Sequence, residues 1–304
     1  MKQLAPGIFF VMLWASASVA TKFGIRESPP LVMTAIRFFL AGGLMLLYAH
    51  GLHGKENRLP RGREWRQLAV FSLLNTALYL GAFVLALKEV SAGIGSLATA
   101  TNPLFIMVLS ALWLKRPLLR SEIAGVVLGL AGVFVATYPL LQNSQASLRG
   151  LLILLGSMIS VSVATAYYAS VSWKLPAVVI NGWQVLIAGF FMLPFALPDL
   201  HQVHWNRPFI LSTVWLAVPV SIIALQLWFY MVRKDPVKAS VWLFLSPIFG
   251  FTYASLFLNE SITLFTFLGT ALVLAGLYLA QKSKLKSIPE SKPSVATGIN
   301  SKTD

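Results

Sequence analysis

Apolar runs long enough to cross a bilayer recur along the chain, divided by short breaks at Gly, Pro and charge clusters. The breaks predict ten helices, at 4–24, 31–49, 67–87, 91–114, 121–138, 149–171, 177–197, 209–231, 237–258 and 264–281. A spanning helix needs about 20 apolar residues, and each run is near that length. The first run is too long for a signal-peptide core and lacks a convincing small-residue cleavage site, so it reads as a retained span. The pattern predicts an all-α integral membrane protein.

The ten runs divide into two copies of five. Ser18-Val19-Ala20-Thr21 recurs unchanged as Ser162-Val163-Ala164-Thr165, a shift of 144 positions. Asn102-Pro103-Leu104-Phe105 falls at the same shift on Ser246-Pro247-Ile248-Phe249, Leu112-Trp113-Leu114 on Leu256-Phe257-Leu258, Gly125 on Gly269, and Ala131-Gly132 on Ala275-Gly276. Leu40 to Leu46 matches Ile187 to Leu193 with the shift drifting to 147. The repeats cover 4–139 and 148–281, leaving 282–304 as a tail. Five spans per unit is an odd number, so the copies insert upside down to each other. Inverted five-helix repeats are a plan used by secondary transporters.

Composition agrees with a bilayer solvent. Hydrophobic residues make up 57% of the chain and charged residues 11%, against about 45–50% and about 25% in soluble domains. The net charge of +14 sits in hydrophilic breaks rather than on a polar face, which argues against a nucleic-acid partner. Only Arg26, Lys88, Arg149 and Arg207 fall in loops on the side opposite the N-terminus; Lys22 and Arg37 fall inside spans. The remaining Lys and Arg lie on the N-terminal side, which places both termini in the cytoplasm. Short loops and a single chain favour a bacterial inner (plasma) membrane. The Ser-, Lys- and Pro-rich tail reads as disordered. There is no cysteine, which excludes disulfides and thiolate sites.

Polar groups within spans carry the candidate chemistry, because burying them in hydrocarbon is costly. Arg37 should lie ~10 Å deep at 1.5 Å per residue, and its repeat partner is Gln184. It suits either a cation that anchors a substrate carboxylate or phosphate, or a structural group bonded to a neighbouring helix. Ser72, Asn75, Thr76, Tyr79 and Phe83 share one stripe of the third helix at helical spacing. Thr99, Asn102 and Pro103 sit near the middle of the fourth, and Ser246-Pro247 repeats the Asn-Pro pair in the ninth. A proline removes a backbone donor and frees a carbonyl one turn back, so Pro103 and Pro247 are candidate hinges, and matched interruptions in both halves point to a central site. Trp14 and Ser18 with Thr21, Ser157 and Ser160 with Tyr168, and Gln226 with Tyr230 could complete the lining. Each taken alone reads first as contact between helices or, for the aromatics near span ends, as interfacial anchoring. A lining without charge at the midplane suits zwitterionic or neutral, partly aromatic solutes. Gly125, Gly129 and Gly132 in the fifth span, with Gly269 and Gly276 in the tenth, offer close-packing faces, either within the chain or to a second copy in a homodimer.

All ten acids and all four histidines fall in loops, tails or span ends. Carboxylate-based proton coupling therefore has no seat in the membrane. No Walker A sequence, His-Glu-x-x-His or Gly-x-Ser-x-Gly occurs, so neither ATP use, a metal nor a cofactor is expected.

The residues resemble the EamA-type branch of the drug/metabolite transporter superfamily over roughly 5–281. The resemblance rests on Ala239-Ser240, Ser246-Pro247, Leu258-Asn259-Glu260 and the glycines from 269 to 276. Trp14, Lys22, Arg37-Phe38 and Ala41-Gly42 match the early pattern, while Arg116-Pro117 stands where the family often has Glu-Arg. The resemblance implies ten helices in two EamA repeats, and a secondary transporter, not an enzyme, that exports small organic metabolites such as amino acids by alternating access. A membrane-embedded lipid-modifying enzyme would need catalytic His or acids near one interface. A subunit without transport of its own is the other alternative.

Overall fold

The computed structural model describes residues 4–53, 57–113, 117, 119–142, 146–234 and 242–286. Among these every regular element is a helix, with no strand. Eight helices are long and apolar enough to cross a membrane: α1 (Ala5–Glu27), α2 (Pro30–Leu52), α3 (Arg63–Ala86), α4 (Ala92–Leu109), α5 (Arg120–Gln142), α6 (Leu148–Tyr168), α7 (Ala177–Gln202) and α8 (Arg207–Trp228). Two shorter apolar helices complete the ten, α9 (Ser246–Leu258) and α10 (Leu264–Ala280). Residues 235–241, which include Ala239-Ser240 and the start of the predicted ninth span, lie outside the described residues, as do Arg116 and 287–304.

Local chemistry sets the helix starts. Ser91 Oγ accepts from Ile94 N at 3.2 Å ahead of α4, Ser147 Oγ from Gly150 N at 2.8 Å ahead of α6, and Asn206 Oδ1 from Phe209 N at 3.0 Å ahead of α8. These are N-caps that accept from orphan amides of the first turn. Pro30 opens α2 at its first position, where a fixed φ suits helix entry, and Pro176 is the N-cap of α7. The tail departs from expectation. The last helix continues to Lys286, because the Lys-Leu-rich stretch after Ala280 has good helix formers.

The packing is two-fold. Helix α1 lies on α8 and α9, and its repeat partner α6 lies on α3 and α4. The pairs α2–α7, α4–α9 and α5–α10 each join an element to its own counterpart, as required for elements crossing an axis that relates the two copies. Glycine permits the closest of these approaches. A Cβ on Gly125 would lie 2.5 Å from Gly276 O, and one on Gly132 would lie 2.6 Å from Gly269 O. The glycine faces offered by sequence to a homodimer are thus consumed within the chain, and only the outward faces of α5 and α10 are left to a second copy.

Helical irregularities are also paired. Wide-turn π segments occupy Leu73–Leu78 in α3 and Leu216–Ala224 in α8, positions related by the repeat. Helix α4 breaks at Ala100 and Thr101 and restarts at Asn102–Trp113, and a tight 3-10 turn at Leu243–Leu245 leads into α9. Pro103 and Pro247 therefore sit in the first turn of a restarted helix, where a missing N–H costs little.

Candidate functional site

The irregular segments surround a cavity of about 210 Å³ near the middle of the bundle, bounded by α1, α2, α3, α4, α6, α7, α8 and Leu243. Trp14, Ser18, Arg37, Asn75, Tyr79 and Asn102 line it together. They come from four helices of the first repeat and meet Val161, Thr165, Gln184 and Ser221 of the second. Among the described residues, no Asp or Glu stands on its wall.

Two polar contacts across the cavity are related by the repeat. In one, Arg37 of α2 donates through Nε to Ser221 Oγ in the π segment of α8, at 3.1 Å. In the other, Gln184 of α7 meets the π segment of α3. Its Oε1 accepts from Thr76 Oγ1 at 2.5 Å and from Asn75 Nδ2 at 3.3 Å, while its Nε2 donates to Asn181 Oδ1 at 2.9 Å. One copy carries a charge where the other carries an amide. Arg37 and Gln184 are both buried, and Arg37 brings a positive charge to the cavity wall.

Other wall groups fall into two kinds. Ser96 Oγ donates to Ser18 Oγ at 3.1 Å, tying α4 to α1. Asn102 Oδ1 is buried without a hydrogen-bond partner among the described residues, leaving an acceptor at the cavity wall. The aromatic wall is continuous on one side, where Phe10 packs on Trp14 at 5.7 Å and stacks on Trp228 at 5.3 Å.

Six expected lining residues lie elsewhere. Tyr230 is off the cavity wall, and Ser157 Oγ donates to Leu154 O at 2.6 Å. Ser160 Oγ donates to Leu74 O at 2.8 Å, which supplies a donor to a carbonyl of the α3 π segment. Tyr168 stacks on Trp173 at 5.3 Å and meets Phe71 at 5.0 Å, in a cluster at one end of the bundle. Gln226 and Ser246 are not on the cavity wall; Gln226 Nε2 and Ser246 Oγ are buried without a partner among the described residues. The third-helix stripe is also altered. Asn75, Thr76, Tyr79 and Phe83 face the cavity, but Ser72 Oγ donates to Gln184 O at 2.6 Å. The sequence reading did not single out Ser221, Ser96 or Trp228. For Ser221 a signal existed, since the repeat places it opposite Ala77, next to the polar pair Asn75-Thr76.

Away from the cavity, Glu260 accepts from Ala92 N at 2.7 Å and Gly93 N at 3.0 Å. This carboxylate, from the second repeat, caps the start of α4 in the first, where the helix dipole favours a negative charge. It follows Asn259, whose φ of 56° ends α9 in the left-handed conformation. Among the described residues no group of three His, Cys, Asp or Glu is placed to hold a metal ion.

The sequence profile of the EamA-like transporter family matches residues 4–138 and again 148–281. The chain belongs to the EamA-like transporter family. It is thus a multi-pass membrane transporter, in a family of transporters rather than enzymes. Among its relatives, the uncharacterized transporter YvbV of Bacillus subtilis is 28% identical over 302 residues, covering 97% of this chain and 94% of that protein. The protein PecM of Dickeya dadantii is 26% identical, covering 90% and 91%. The uncharacterized inner membrane transporter YedA of Escherichia coli is 29% identical, covering 81% of each. A solved structure titled only as the crystal structure of a protein shares the fold. It has a TM-score of 0.64 at 20% identity, covering 94% of this chain and 99% of that one.

Proposed function

We propose that this EamA-like transporter is a secondary carrier that exports small organic metabolites, amino acids among them, by alternating access through the central cavity. The observation that carries the proposal is the cavity itself, built from both repeats at their irregular helices. Unwound or broken helices near the midplane are where such carriers hold solutes, and backbone irregularity at membrane depth is tolerated where it lines a cavity. At about 210 Å³ the space is below the ~300–1,000 Å³ of pockets for drug-sized ligands, which favours small solutes. Rocking of the 4–139 repeat against the 148–281 repeat would open the cavity to each side in turn, with Pro103 and Pro247 at the hinges.

The loop distribution of Lys and Arg supports both termini in the cytoplasm, and the short loops favour a bacterial inner membrane. A homodimer, where one forms, uses the outward faces of α5 and α10, on which Val127 and Phe134 are exposed.

Counterflow in proteoliposomes of purified protein tests the proposal. Vesicles loaded with unlabelled amino acids or neutral metabolites should take up the matching labelled solute faster than protein-free vesicles, and Asn75→Ala and Asn102→Ala should slow that uptake. Exchange that both variants leave unchanged would remove the cavity as the site. Turnover of a bilayer lipid by pure, folded protein would instead favour an enzyme.

A further inference from the structure

The two repeat-related contacts differ in how completely they are filled. Gln184 uses its amide oxygen and nitrogen on Thr76, Asn75 and Asn181. Arg37 is 4% exposed, yet among the described residues its side chain makes one hydrogen bond, from Nε to Ser221. Its two terminal nitrogens have no hydrogen-bond partner among these residues, nor is there an acid among the described residues of the cavity wall to balance the charge. A guanidinium is always protonated and offers a planar fork of donors matched to a carboxylate. A buried charge is otherwise found paired and hydrogen-bonded.

We infer that the cavity takes a solute bearing one carboxylate, held by the terminal nitrogens of Arg37. This rests on the transporter reading and names the chemical class that its cavity selects. Ser221 acts as a positioning residue, fixing the guanidinium through Nε so that the fork faces the cavity. A single negative charge follows from a single wall cation. A dianion such as a phosphate ester would bring a second charge with no partner in a low-dielectric site, where an unpaired charge is most costly. The rest of the solute meets Trp14, Tyr79 and Phe83, so an aromatic or aliphatic body suits the space.

The test compares 3-phenylpropanoate with its neutral isostere 3-phenylpropanamide, alongside phenyl phosphate. Binding is followed by tryptophan fluorescence, since Trp14 and Trp228 line the cavity, and exchange by counterflow of the same solutes. Wild-type protein should bind the carboxylate about 10- to 100-fold more tightly than the amide, the range expected of hydrogen bonds to a charged group. Arg37→Gln should erase that ratio, Arg37→Lys should keep part of it, and Ser221→Ala should reduce it. The wild-type ratio needs no variant to fold. Equal binding of acid and amide, binding of neither, or phenyl phosphate binding as tightly as the carboxylate overturns the inference. Selective carboxylate binding without counterflow sustains the anion site and overturns the transporter reading instead.

Discussion

Gly42 and Gly43 are neighbours on α2 with opposite surroundings, and they give the sharpest test of the packing. A Cβ on Gly42 would lie 2.7 Å from Leu186 N and 2.9 Å from its Cα, whereas one on Gly43 meets nothing within 4 Å. Ordinary contact begins at 3.4 Å, so Gly42→Ala forces the backbones of α2 and α7 apart by about 0.7 Å, and overpacking of this kind costs about 1–3 kcal/mol. Both substitutions gain the same helix propensity, about 1 kcal/mol, so the difference between the two variants isolates the clash. At about 2–4 °C per kcal/mol for a larger domain, Gly42→Ala should melt several degrees below Gly43→Ala in detergent. Gly43→Ala should melt at or above wild type. Counterflow per folded molecule should fall only in Gly42→Ala, because α2 and α7 carry Arg37 and Gln184. If the two variants melt together, the close approach of α2 to α7 at Gly42 is wrong.

Three further outcomes are expected. Glu260→Ala removes the acceptor for Ala92 N and Gly93 N and should cost about 1–3 kcal/mol, the range for hydrogen bonds to a charged group, with Glu260→Gln intermediate in thermal melting; an unchanged melting temperature would show that the cap does not hold α4. Thr76→Val removes the 2.5 Å bond to Gln184 and should cost about 1 kcal/mol, read in the same melt, with Asn75 keeping Gln184 partly bonded. Gln184→Arg should destabilise the protein by adding a second guanidinium to the wall, and adding Arg37→Gln should recover stability; the pair should couple by about 0.5–3 kcal/mol, whereas simple additivity would show that the two residues do not share one cavity.

Much of the fold is legible in hydropathy because a bilayer admits few backbone solutions, so a long apolar run is a helix. The repeat is legible because matched residues such as Ser18 to Thr21 and Ser162 to Thr165 lie in corresponding helices. Irregularity within a span is harder to read. The π segment at Leu73–Leu78 carries no Gly or Pro, so the third-helix stripe looked regular, and Ser72 turned out to meet Gln184 O instead of the cavity. Pro103 and Pro247 did mark their breaks, since proline alters the backbone wherever it stands. The site was legible where a side chain is long or charged, as with Arg37, and where a stripe faces inward, as with Asn75 and Tyr79. It was legible for only some hydroxyls: Ser18, Thr21, Thr76 and Thr99 reach the wall, whereas Ser160 and Ser246 do not. Ser160 and Ser221 look alike in sequence, yet one donates to Leu74 O and the other accepts from Arg37 Nε, because a short side chain bonds whatever the neighbouring helix presents.

The duplicated and the diverged features of this chain serve different ends. The π segments of α3 and α8 and the breaks ahead of Asn102 and Ser246 lie at equivalent positions in both repeats, so they belong to the shared unit. Their freed backbone groups need a cavity or a neighbour, such as Ser160 for Leu74 O, and this keeps the bundle open at its middle in both halves. Arg37 and Gln184 occupy equivalent positions but carry different chemistry, so on the proposed reading charge selection belongs to one copy alone. A scaffold of this kind separates the parts that hold the cavity from those that choose its occupant. Changing one or two wall positions should alter the chemical class the cavity suits while leaving the axis pairs α2–α7, α4–α9 and α5–α10 untouched. On that division the wall residues of this chain, above all Arg37, are the place to test its selectivity.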